Sequence, residues 1–84
     1  MLGLELAKCL TARSIRAADL ARMMARRKTP ITAQYIGLLL HGKRSVTPVT
    51  LINISAAMQL TEGEAQVLHR AAAIEAGFRI GGLA

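Results

Sequence analysis

Apolar residues recur along the chain at three- and four-residue steps, and polar or turn-forming residues interrupt them at regular intervals. Leu2, Leu6, Cys9 and Leu10 define one face of a first helix of about eleven residues. Ala17, Leu20, Ala21 and Met24 form the buried stripe of a second helix from about Arg16 to Ala25, with Arg16, Asp19, Arg22 and Arg26 outward. Ser14 and Arg16 are both placed to begin it, and the Ser14 hydroxyl is the better N-cap. Pro30 ends that pattern, because proline and the residue before it are both excluded from a helix interior. Thr32 then caps a third helix with apolar residues Ile36, Leu39 and Leu40, stopped at His41-Gly42, where glycine suits a left-handed end. Thr47-Pro48 opens a fourth helix that carries Leu51, Ile54, Ser55 and Met58 on one side. Thr61 and Glu64 are spaced as a capping box at the start of a fifth, through Leu68, Ala72 and Glu75 to an end near Gly77. The pattern predicts an all-α chain of five short helices. Residues 1–76 form the domain, and residues 77–84 form a tail that is either frayed or docked on a partner.

Composition agrees with this pattern. Hydrophobic residues make up 52% of the 84 and aromatic ones only 2%, so Ala, Leu, Ile and Met must build the core; these favour helices over sheets. A chain of this length buries only about 60–65% of its unfolded surface, which makes a partner subunit a useful source of buried area. Cys9 is the only cysteine, which excludes an internal disulfide and a cysteine-based zinc site, and its neighbours predict a small buried apolar residue. The longest apolar run, residues 36–40, is far shorter than the roughly 18 residues of a membrane span, and no secretory pattern opens the chain. A cytoplasmic protein with no membrane partner is expected.

The formal charge of +6 is concentrated in the middle third. Eight basic residues between Arg13 and Arg44 are opposed there only by Asp19, a net of +7, whereas the rest of the chain sums to −1. Such a localised excess suits neutralisation of phosphates. His41 and His69 are too isolated to hold a metal and read as surface or capping residues. No nucleophile–base pair, paired carboxylate or phosphate-cradling glycine loop is present, so neither catalysis nor a cofactor is expected.

The ordered set Ala18-Asp19-Leu20-Ala21, then Tyr35-Ile36-Gly37-Leu38-Leu39-Leu40-His41-Gly42-Lys43-Arg44, then Pro48 and Leu51 to Met58, resembles the phage repressor/Cro-like (Xre-type) helix-turn-helix family over about residues 14 to 60. The resemblance implies a five-helix repressor-like domain whose third helix enters the DNA major groove. Two family features are replaced: Leu40 stands where a Glu is common, and Ala17 where a Gln usually contacts phosphate, a contact that could pass to Arg16. The stretch between Ala21 and Ile36 is also longer than the family's tight turn, and the extra residues fall in Arg26 to Ile31.

Under that reading the base-contacting candidates are Thr32, Ala33, Gln34, Gly37 and Leu38. Gln34 can pair bidentately with adenine, and Thr32 or Ala33 can touch a thymine methyl. Leu38 either does the same or packs on a neighbouring helix. Gly37 costs about 1 kcal/mol of helix stability relative to Ala, which is understandable where a duplex must come close. The phosphate-contacting candidates are Arg16, Arg26, Arg27, Lys28, Tyr35, His41, Lys43 and Arg44. Among them, Lys43 and Arg44 resemble the family's phosphate clamp, Arg26 to Lys28 form either a further grip or a solvated loop, and Tyr35 is either a phosphate ligand or a half-buried core residue. The resulting expectation is a double-stranded-DNA-binding regulator, acting as a repressor and a homodimer on a palindromic operator. Its dimer surface would comprise Val67, Ala71, Ile74, Phe78, Ile80 and Leu83. The alternative is a helical protein-interaction module, antitoxin-like or an adaptor, whose main partner is another protein.

Overall fold

A computed structural model describes residues 2–83, with side chains described for residues 2–76. Five helices and no strands occur among them: α1 (Leu2–Ala12), α2 (Ala17–Arg26), α3 (Ala33–Leu40), α4 (Pro48–Ala57) and α5 (Glu62–Leu83). None is long and apolar enough to cross a membrane. α1 packs on α5 and α3, α2 packs on α3 and α4, and α4 closes the arrangement on α5. The shortest helix, α3, is therefore held between α1 and α2. Every helix sends at least one large, fully buried side chain inward: Leu6, Leu20 and Met24, Ile36 and Leu39, Leu51 and Ile54, and Leu68. Removing each from water is worth about 1.5–3 kcal/mol. Cys9 is only half-buried, and burial pushes its thiol above the usual range.

Three helices begin at the expected hydroxyl caps. Thr32 Oγ1 accepts from Tyr35 N–H at 3.0 Å, Thr47 Oγ1 from Thr50 N–H at 3.2 Å, and Thr61 Oγ1 from Glu64 N–H at 3.2 Å. α2 differs from expectation. Ser14 does not cap it; the N-cap is Arg16, whose N–H donates to the Asp19 carboxylate at 3.0 Å. Asp19, at the third helical position, accepts the N-cap residue's own N–H, the one half of a capping box that remains when the N-cap side chain has no acceptor. Ser14 instead closes α1 with φ 54, its N–H donating to Thr11 O at 3.1 Å while Ile15 N–H donates to Leu10 O at 2.9 Å.

The same paired closure recurs at Lys28 and Thr29 after α2, Gly42 and Lys43 after α3, and Gln59 and Leu60 after α4. Only Gly42 is a glycine; Ser14, Lys28 and Gln59 hold positive φ at a cost of about 1–2 kcal/mol each. Ile15 and Leu60, each one residue beyond, pack against the core and hold two of these turns in place. α5 continues through Gly77 to Leu83, beyond its expected end. Glycine weakens a helix but retains the N–H that proline would remove, and no proline follows Pro48.

α1 is fastened to α5 at both ends. The Arg13 guanidinium makes a two-pronged contact with the Glu64 carboxylate at 2.7 and 2.6 Å, and the Leu2 N–H donates to Glu75 Oε1 at 2.8 Å. Between them, Gly3 lies so close to the end of α3 that a Cβ would fall 2.4 Å from Leu40 O and 2.8 Å from Leu39 O. Both obstacles are backbone and cannot rotate away. Gly3→Ala should therefore destabilise the fold by about 1–3 kcal/mol, read as a lower urea midpoint with an unchanged slope.

The Arg13 contact, reinforced by the Thr61 N–H, holds the Glu64 carboxyl down to about 2 from an ordinary 4.5. A depressed carboxyl stabilises the fold above its ordinary value, and that contribution disappears as pH falls through the folded value. The gap in Tm between the wild type and Glu64→Gln, which keeps the cap but not the charge, should be widest above pH 5 and close between about 4.5 and 2.

Candidate nucleic-acid interface

The side chains of α3 divide between two faces. Ile36 and Leu39 are buried, and Tyr35 and Leu40 lean half-buried against the core. On the other side Thr32, Ala33 and Gln34 are exposed, and Gly37 and Leu38 are half-buried. Residues 33 and 37, like 34 and 38, are one helical turn apart and share a face. The five residues expected to contact bases are thus brought together. A Cβ on Gly37 would meet nothing within 4 Å, so no packing requirement among the described residues explains the glycine.

The loops at the two ends of α3 carry its charge. The connection from α2 presents Arg27 and Lys28, preceded by Arg26 at the end of the helix, and all three are exposed. The connection to α4 presents Lys43 and Arg44 beside the exposed His41, which is the C-cap of α3. Among the described residues none of these five basic side chains has a carboxylate partner. Other cations are engaged. Arg13 is committed to Glu64, while Arg16 and Arg22 both lie against Asp19, Arg16 at 3.6 Å. The Arg16 N–H foremost, then the charges of Arg22 and Arg16, hold the Asp19 carboxyl below its usual range. Arg16 is still 87% exposed and remains available to an outside anion.

The second loop is fixed in place. Gly42 takes φ 70, Lys43 N–H donates to Leu38 O at 2.9 Å, and Val46 packs on the core. Tyr35 Oη donates to Ser45 O at 3.1 Å, next to Arg44. The hydroxyl proton expected to reach phosphate is therefore used to tie α3 to the loop that carries Lys43 and Arg44. The sequence leaves Tyr35 as either a phosphate ligand or a half-buried core residue and could not indicate this partner ten residues away.

The expected dimer surface is only partly assembled. Val67 and Ile74 are 48% and 47% exposed, whereas Ala71 is only 5% exposed, packed in the chain's own core at the bottom of the groove they border. It faces inward with Leu68, three residues earlier on the same helix. Phe78, Ile80 and Leu83 lie outside the residues whose side chains are described. Leu4 on α1, 62% exposed, joins Val67 and Ile74 in one groove and was not anticipated. Its position lies off the Leu2–Leu6–Leu10 stripe that the core selects. Among the described residues no group of three or more His, Cys, Asp or Glu side chains could hold a metal ion.

No protein-family model matches the sequence, and no curated protein or solved structure matches it.

Tyr35→Phe deletes one solvent-facing hydrogen bond and leaves the ring's packing in place. We expect a stability loss of about 0.5–1 kcal/mol, with faster amide hydrogen exchange confined to residues 43–46.

Proposed function

We propose that the chain is a sequence-specific double-stranded-DNA-binding regulator of the helix-turn-helix kind, with α2 and α3 as the motif and α3 as the recognition helix. The observation that carries this reading is the distribution of charge about α3. Its outward face (Thr32, Ala33, Gln34, Gly37 and Leu38) carries no charge, and among the described residues basic side chains without a carboxylate partner stand near both of its ends. An α-helix with its side chains is about 10–12 Å across. That is the scale of the roughly 12 Å major groove. Arg26, Arg27 and Lys28 near one end and Lys43 and Arg44 near the other would contact phosphates, which position a protein without reading sequence. Arg16 and His41 can add to that grip. Gln34 reads adenine, Thr32, Ala33 and Leu38 offer apolar contact to thymine methyls, and Gly37 lets the backbone come close. Two copies on a palindromic site would multiply the affinity of one small domain, and occupancy of an operator would repress transcription. A protein partner is the second reading, favoured by the exposed Val49 and Ile52 on α4.

Selection from random duplexes, followed by band shifts at ~150 mM salt with nonspecific competitor, tests the proposal. A defined motif should survive competition; salt-labile smearing without a motif would leave the protein-partner reading. Gln34→Ala should relax preference at one position by about 1–3 kcal/mol, and Lys43→Ala should weaken all sequences alike and reduce the salt slope by about one. Gly37→Ala separates fold from function most sharply. It should stabilise the free protein by up to about 1 kcal/mol while weakening specific DNA binding. A variant that is more stable and binds as well as wild type would remove Gly37 from the interface.

A further inference from the structure

A cavity of about 360 Å³ lies between the start of α4 and α5. The buried Leu51 lines it, together with Val46 and Pro48 and, from α5, Ala72, Ala73 and Ala76. The polar side chains of the lining are Thr47 and His69, and no carboxylate is among them. Thr47 is occupied as the cap of α4, accepting from the Thr50 N–H. His69 is not. The sequence reads it as a surface or capping residue, yet it is half-buried in the cavity wall, and no described residue hydrogen-bonds to its ring. An imidazole has an N–H to donate in either tautomer, and here that donor stands in a mainly apolar wall. A concave apolar space of this size with a few placed polar groups is the usual form of a small-molecule site. We propose that the cavity binds a small organic acid with an apolar body of about two rings, its carboxylate accepting a hydrogen bond from His69.

The lining selects this class. An amine would find no counter-charge in it, and a sugar would leave most of its hydroxyls unpartnered against alanine, valine, proline and leucine. Glu75, which lines a small adjoining cavity, is six residues beyond His69, about 9 Å along the helix axis. The carboxylate of the ligand therefore sits at the end away from it. The net charge of +6 also favours an anion. Val46 and Pro48 continue the segment that carries Lys43 and Arg44, and Ser45 within it is held by Tyr35. A ligand packed against Val46 and Pro48 fixes that segment further, so ligand and DNA strengthen each other's binding. Only this link rests on the regulator reading; the site itself is tested without DNA.

Titration of the full chain with 2-naphthoate, followed by amide NMR shifts, should saturate with a Kd of about 1 mM or lower and move residues 46–48 and 69–76. His69→Phe should weaken binding about tenfold or more. The double variant Ala73→Leu/Ala76→Leu fills the cavity from two exposed helix positions and should abolish binding while thermal unfolding stays cooperative. Three results overturn the proposal: shifts that spread over the basic loops without saturating at about 10 mM, a double variant that binds as wild type does, and a His69→Phe chain of unchanged affinity. Saturating 2-naphthoate should lower the DNA Kd of the wild type about fivefold or more and leave that of the double variant alone. An unchanged wild-type value would remove the link to the loop. A chain that binds 2-naphthoate in this cavity but selects no DNA motif would remove the regulator reading and leave the site standing.

Discussion

The Glu64 carboxylate joins two parts of the chain that lie far apart in sequence. Its Oε1 accepts from the Thr61 N–H, which starts α5, and both its oxygens accept from the Arg13 guanidinium, which follows α1. A bidentate arginine–carboxylate contact has a fixed geometry as well as an energy, so it sets the angle at which the last helix meets the first. α1 laid against α5 in turn brings Gly3 onto the carbonyl end of α3, where only a hydrogen fits. From that close approach the position of α3 follows, with Ile36 and Leu39 buried between α1 and α2. The outer face of α3 is thus oriented by contacts made entirely on its inner side and ends.

This arrangement accounts for the division of labour among the cations. Arg13 belongs to the frame, and Arg22 and part of the Arg16 charge belong to the start of α2 through Asp19. Among the described residues, five of the cations left without carboxylates stand in or beside the two loops that bracket α3. A long charged side chain on a loosely held loop would lose much conformational freedom on meeting an anion. The Tyr35–Ser45 hydrogen bond and the Lys43–Leu38 backbone bond reduce that loss at one end of α3 by fixing the turn beforehand.

The helices and most of the core were legible in the sequence because local signals and tertiary demands agree. Thr47-Pro48, Thr61 with Glu64, and Gly42 each do what their types do in isolation, and Leu6, Leu20, Ile36 and Leu51 sit on the faces that periodicity assigns. Misreadings arose where an interaction spans sequence distance or where a residue acts against its type. Arg13 counted as surplus charge until Glu64, 51 residues away, was found against it. Ser14 has the preference of a cap but occupies a left-handed turn that Ile15 and Leu10 enforce. Ala71 is expected on an outer stripe but packs in the core with Leu68, a placement that depends on how α5 meets its neighbours. Of the candidate interface, the grouping of Thr32 to Leu38 followed from helical spacing alone. The anchoring of Tyr35 and the groove containing Leu4 did not, because each depends on how two elements pack.

The helix ends show how much stability the chain leaves unused. Three of four turns place an ordinary side chain where the backbone favours glycine, and the three are not equivalent. At Lys28 the strained residue also supplies a charge to the loop beside α3, so a glycine there would exchange electrostatics for comfort. At Ser14 and Gln59 no such compensation exists: both lie outside the loops that bracket α3. The domain therefore has stability headroom at two positions away from its candidate interface, against which destabilising changes elsewhere, including new side chains on the outer face of α3, could be tolerated.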